Sequence, residues 1–131
     1  MQKQINKPGI NGNGQQPNRL KRPEVKYCHY LVLNYNDGSL VAAENRQDLH
    51  QELITFAGGA TRLPPGQGWW ISHASQKVCE DMVTVIEVVV PDSIKTQLFF
   101  LTFAAKVARV LEQEHVLVTR QPVESLSSDL L

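Results

Sequence analysis

Three observations predict an α+β fold in which one antiparallel sheet carries two helices on one face. Lys77 to Val90 is a long run rich in β-branched residues, the strongest strand signal in the chain. Apolar residues recur at helical spacing in two separate segments, Ala43 to Phe56 and Ile94 to about Gln113. Turn-rich stretches divide the rest, giving the order strand, helix, two strands, helix, strand.

Each element has a local reason. Tyr27 to Tyr35 (YCHYLVLNY) is a run of aromatic and aliphatic residues stopped by Asn36-Asp37-Gly38, a strand followed by a turn. In the first helix Leu49, Leu53, Ile54 and Phe56 share helical spacing while Glu44, Arg46, Gln47 and Gln51 face outward, and Gly58-Gly59 closes it. Pro64-Pro65-Gly66-Gln67-Gly68 reads as irregular, because proline removes a ladder donor. Trp69-Trp70-Ile71 resumes a strand, with His73 to Gln76 as a hairpin tip. On the long strand Met82, Thr84, Ile86, Val88 and Val90 point one way, and Val83, Val85, Glu87 and Val89 the other. Asp92 or Ser93 caps the second helix. His115 to Thr119 forms a last short strand closed by Pro122. With right-handed crossovers this order folds most simply as a split β-α-β unit, the ferredoxin-like βαββαβ sandwich.

Composition divides the 131 residues into an arm, 1–26, a domain, 27–122, and an unassigned tail, 123–131. Residues 1–26 are rich in Gln, Asn, Gly and Pro, and too poor in apolar area to offset the entropy of ordering. They hold six basic residues against one acidic, while the remainder holds seven basic and twelve acidic, so a chain of zero net charge pairs a basic arm with an acidic body. Arg19, Lys21, Arg22 and Lys26 are the arm contacts through which nucleic acid or another polyanion would bind, and the plainer role is a solubilising tail. On this reading, deleting the arm leaves thermal unfolding nearly unchanged. The lysines near Met1 precede no apolar stretch, and Ile94 to Leu111 carries Lys95, Lys106 and Arg109. The sequence therefore suggests a cytoplasmic protein without a membrane span.

The series Phe56-x-Gly58-Gly59-x-Thr61, Gly68-x-Trp70, Glu80 opening a valine-rich strand, and Gln113-Glu114-x-Val116-x-Val118 resembles small bacterial and phage domains of unknown function. The resemblance spans about Tyr27 to Thr119 and implies a ferredoxin-like fold. It implies no reaction.

Candidate chemistry is sparse. Trp69, Trp70, Glu80 and Glu114 are the candidate ligand-binding residues. The alternating tryptophans send one ring toward the core and leave the other more exposed, as a ligand platform or an interface anchor. Glu80 and Glu114 both fall near strand ends, where they either approach a shared ligand or stand as solvated charges beside Arg62 or Lys77. Glu80 and Asp81 face opposite sides and do not pair. Cys28, His29, His73, Cys79 and His115 lack paired metal-ligand spacing, so no metal, cofactor or disulfide is expected. Neither glycine cluster is a phosphate loop. Tyr27 and Tyr35 are the rings an RNA-binding sheet face would use. Apolar residues on both faces of Lys77 to Val90 favour a non-catalytic binding or assembly module, a homo-oligomer such as a homodimer or a complex with a protein partner. A small enzyme or ligand-binding protein with a pocket near Trp69-Trp70 is the alternative.

Overall fold

The structure, a computed structural model, describes residues 23–126. Strands β1 (Pro23–Val32), β2 (Thr61–Arg62), β3 (Gly66–Ile71), β4 (Val78–Pro91) and β5 (Val118–Glu124) form one sheet with helices α1 (Ala43–Ala57) and α2 (Ile94–Val110). Both β2 and β3 pair antiparallel with β4, opposite Ile86–Glu87 and Val78–Val83. They behave as one strand interrupted at Pro64-Pro65, and the Leu63 N–H still donates to the Val85 carbonyl at 2.9 Å. The sheet then runs β4, β1, β5, every neighbouring pair antiparallel. This is the ferredoxin-like order that the sequence predicts.

The core lies between the helices and one sheet face. Val25, Tyr27, His29 and Leu31 of β1 and Thr84, Ile86, Val88 and Val90 of β4 point into it, meeting Leu49 and Leu53 of α1 and Phe100, Phe103 and Val107 of α2. Stacked rings fix the spacing of the layers: Tyr27 on Phe100 at 4.0 Å between centroids, and Phe56 on Phe99 at 3.7 Å. Gly58 closes α1 with φ 84°, a left-handed conformation that glycine adopts without penalty. At α2 the Ser93 hydroxyl accepts from the Thr96 N–H at 3.1 Å, so Ser93 rather than Asp92 is the cap.

Four boundaries differ from the sequence reading. β1 begins at Pro23, so Pro23–Lys26, assigned to the arm, are strand residues and Val25 is a core side chain. The flanking Lys26 and Glu24 masked the alternation that starts there. Gly66–Gly68, read as irregular, pair with Val83–Asp81, because Gly66 and Gly68 have free N–H groups once the prolines are passed. α2 stops at Val110, and its exit is turned by Glu112 at φ 56° with the Gln113 N–H donating back to the Ala108 carbonyl. β5 is Val118–Glu124, displaced from His115–Thr119. Pro122 lies inside it opposite Val25, which an edge strand tolerates.

His29 is 1% exposed, sits edge-on to Phe103 at 5.0 Å, and has no hydrogen-bond partner at either ring nitrogen among the described residues. Burial lowers its pKa from 6.5 to about 4. Above pH 6.5 the imidazole is neutral in both states. As the pH falls below 6.5 the unfolded chain takes up a proton that the folded chain refuses until about pH 4, so stability is lost across that window.

Two measurements follow from this core. Urea unfolding at pH 5 gives a stability about 2 kcal/mol below that at pH 7.5 from His29 alone, and His29→Leu flattens that part of the profile. A chain starting at Tyr27 is less stable than one starting at Pro23 by at least about 2 kcal/mol, the burial of Val25, or roughly 10 °C in Tm. Equal melting temperatures for the two truncations would contradict the placement of Val25.

Candidate functional site

Both helices lie on one side of the sheet, so the other side is open. Register assigns its residues: Lys26, Cys28, Tyr30 and Val32 from β1, opposite Val89, Glu87, Val85 and Val83 of β4. Gly68 and Trp70 of β3 lie opposite Asp81 and Cys79 on the same face. The side chains of Tyr30, Val32, Val83 and Val85 on this face are half-buried.

The segment after α2 crosses this face and turns it into a site. Asn36 Nδ2 donates to the Glu112 carbonyl at 3.0 Å, and the Glu114 carboxylate accepts from the Ser72 hydroxyl at 2.7 Å and the His73 N–H at 3.1 Å. The Ser72 oxygen in turn accepts from the Ala74 and Ser75 N–H groups, which fixes the β3–β4 turn. Hydrogen bonds from Ser72 first, then from the His73 backbone, hold the Glu114 carboxyl below the usual carboxylate range. The His115 ring packs edge-on to Trp70 and to His73, both at 5.8 Å between centroids.

Between this segment and the sheet lies a cavity of about 480 Å³. Tyr30, Val32, Val83 and Val85 belong to the two central strands that line it; Leu63, Pro64 and Gly66–Trp70 line one side, and Leu111, Gln113 and His115–Leu117 the other. Its size and apolar lining with a few polar groups suit a small ligand. Trp70 Nε1 donates to the half-buried Asp81 carboxylate at 2.5 Å, which fixes the indole at the rim. Gly68 keeps the cavity open, since a Cβ there would meet Val83 Cγ2 at 3.2 Å.

The structure separates the sequence-predicted residues. Both tryptophans are among the lining residues of the cavity, Trp70 on the open face and Trp69 at a register position on the helix side of the sheet, 63% exposed. Neither ring enters the core: Trp69 is exposed and Trp70 half-buried. Glu80, across the ladder from Trp69, lines a separate shallow cleft with Asn34, Tyr35 and Met82, and neither Glu80 nor Glu114 lines the apolar cavity. Glu114 bonds to Ser72 and His73 in the β3–β4 turn and lies in the loop before β5, not at its start. Lys26, placed in the arm by the sequence, is on β1 with Nζ 3.8 Å from Glu87 Oε2. Arg19, Lys21 and Arg22 lie outside the described residues. Tyr27 is buried against Phe100, and Tyr35 packs against the core, so the rings of the open face are Tyr30 and Trp70 instead. Asp81, Gln113 and His115 were not singled out as ligand-site residues by sequence. The parity of Asp81 with Trp70 across a hairpin was the signal that could have joined the first.

Cys28 and Cys79 are free thiols, and among the described residues no group of three or more His, Cys, Asp or Glu could hold a metal. No described helix is long and apolar enough to cross a membrane.

No protein-family model and no curated protein matches the chain. Solved structures do. A phage SAM lyase in complex with S-methyl-5'-thioadenosine matches with a TM-score of 0.64 and 14% identity, over 84% of this chain and 95% of that one. CutA1 from Oryza sativa matches with a TM-score of 0.56 and 14% identity, over 86% and 90%. A phage SAM lyase in the apo state matches with a TM-score of 0.54 and 12% identity, over 81% and 91%. These likenesses show a shared ferredoxin-like fold, the fold that the motif resemblance implied, while the motif series itself finds no matching family.

The Trp70–Asp81 bond is testable alone. Asp81→Ala leaves a half-buried indole N–H without its acceptor, at a cost of about 1 kcal/mol. In a Trp69→Phe background, where Trp70 is the only tryptophan, the emission shifts to longer wavelength. An unchanged spectrum would show that the indole is not held by Asp81.

Proposed function

We propose that this protein is a binding or assembly module whose working surface is the open sheet face, and that its principal occupant is a second copy of the chain. One observation carries the reading. Tyr30, Val32, Val83 and Val85 form a contiguous half-buried apolar patch, extended by Leu63 and Leu117, on the face that neither helix covers. A patch of this kind marks an interaction surface more often than a solvated one. At its far end Val89 is 43% exposed, and the Lys26–Glu87 pair between supplies both signs of charge, as a face that meets its own copy requires.

A second reading has its own support. The cavity beneath Trp70 is of ligand size, and a phage lyase of the same fold is solved with an adenosine thioether. On that reading the chain is a small-molecule-binding protein or a small enzyme, with Trp70, Tyr30 and Asp81 around the ligand. The two readings are compatible where a second copy closes the mouth of the cavity.

Light scattering on the full chain at micromolar concentration gives a mass of two or more copies. Val85→Arg, which puts a cation at the centre of the apolar patch, gives the single-chain mass with its helical circular dichroism intact. A wild-type chain that stays single up to about 100 μM, a concentration equivalent to a contact of only about 5 kcal/mol, would contradict the self-association reading.

A further inference from the structure

Resting on the reading of the cavity as a ligand site, we infer that it selects flat ligands that are uncharged or cationic and rejects phosphorylated ones. Among the described residues the cavity has aromatic groups from Trp69, Trp70, Tyr30 and His115 along its lining, Asp81 is the one carboxylate, and no Lys or Arg lines it. Phosphate is held most strongly by guanidinium, ammonium or a helix N-terminus. Here the helix end nearest the cavity is the wrong one. Leu111, the C-terminal cap of α2, is among the lining residues, so the helix brings its partial negative end toward the ligand.

Asp81 and the end of α2 therefore act in the same direction from opposite walls. An anion entering between them meets repulsion inside an apolar lining, where charge interactions are strengthened. A cation meets a carboxylate and the faces of Trp70 and Tyr30, which attract positive charge. The hydrogen bond from Trp70 Nε1 aligns the indole with Asp81, so that ring and carboxylate present themselves together. His115 is held against Trp70 on one side and His73 on the other. Gly68 keeps that wall free of a side chain, since a Cβ there would already crowd Val83 Cγ2 at 3.2 Å.

The experiment uses the full chain carrying Trp69→Phe, with Trp70 as its only tryptophan. Three probes share one flat ring system and differ only in charge at the 5′ position: 5′-amino-5′-deoxyadenosine, adenosine and adenosine 5′-monophosphate. Titration of Trp70 emission gives saturable binding for the amine and the neutral nucleoside, the amine the tighter. The monophosphate binds at least about tenfold more weakly than adenosine, the scale of one like-charge contact. Asp81→Asn keeps an oxygen for the Trp70 N–H and removes the charge, so the gap between amine and monophosphate narrows by about tenfold. A monophosphate that binds as tightly as adenosine overturns the charge selection and leaves the cavity a ligand site. No saturable change with any of the three, in a protein with intact circular dichroism, overturns the ligand reading itself and this inference with it.

Discussion

A sheet has two faces, and the two helices among the described residues cover only one. β4 is apolar on both sides: Thr84, Ile86, Val88 and Val90 go beneath the helices, while Val83, Val85 and Val89 go to the other side. Everything functional follows from that imbalance. The covered face is closed by stacked rings and has no room for a ligand. The uncovered face holds the apolar patch, the crossing segment 111–117 and the cavity between them. Part of the apolar surface still open to burial, Val89 and Leu117 included, lies on that face.

The open face is organised by bonds that join distant parts of the chain. Glu114 reaches the turn at Ser72 and His73, and Glu112 receives a bond from Asn36. These contacts hold the segment after α2 across the ends of β1 and β3, where it forms one wall of the cavity. The left-handed Glu112 turns the chain in that direction at once after the helix. Glu114, which by sequence resembled a ligand carboxylate, is thus a positioning residue: it touches the turn and sets the wall on which His115 stands.

Much of the fold was legible because it rests on local pattern. The β-branched run of β4 and the helical spacing of Leu49 with Leu53 and of Phe100 with Val107 name their own elements, whereas Phe103, buried in α2, was not read as part of that face. The strand ends were less legible. Pro23 and Pro122 suppress the strand signal, yet they occupy positions where pairing tolerates a missing donor. Site geometry was the least legible of all. Parity puts Trp69 and Trp70 on opposite faces, but it does not say that both rings miss the core. The cavity needs Tyr30, Val83 and Val116 together, residues that only tertiary structure joins. That Glu80 and Glu114 serve different places is equally a matter of long-range contacts.

The central claim is that the open face is covered when the protein works, and Cys28 reports on it directly. This thiol lies on that face beside Lys26 and Glu87, with its Sγ 3.9 Å from Glu87 Oε2. In a Cys79→Ser background it is the only thiol of the chain. Its rate of reaction with an aromatic disulfide reagent, followed as protein concentration is raised from nanomolar to tens of micromolar, measures cover by a second copy. The account predicts a fast rate on dilution and a rate that falls with concentration, with Val85→Arg restoring the fast rate throughout. A fast rate independent of concentration in the wild-type chain would contradict it.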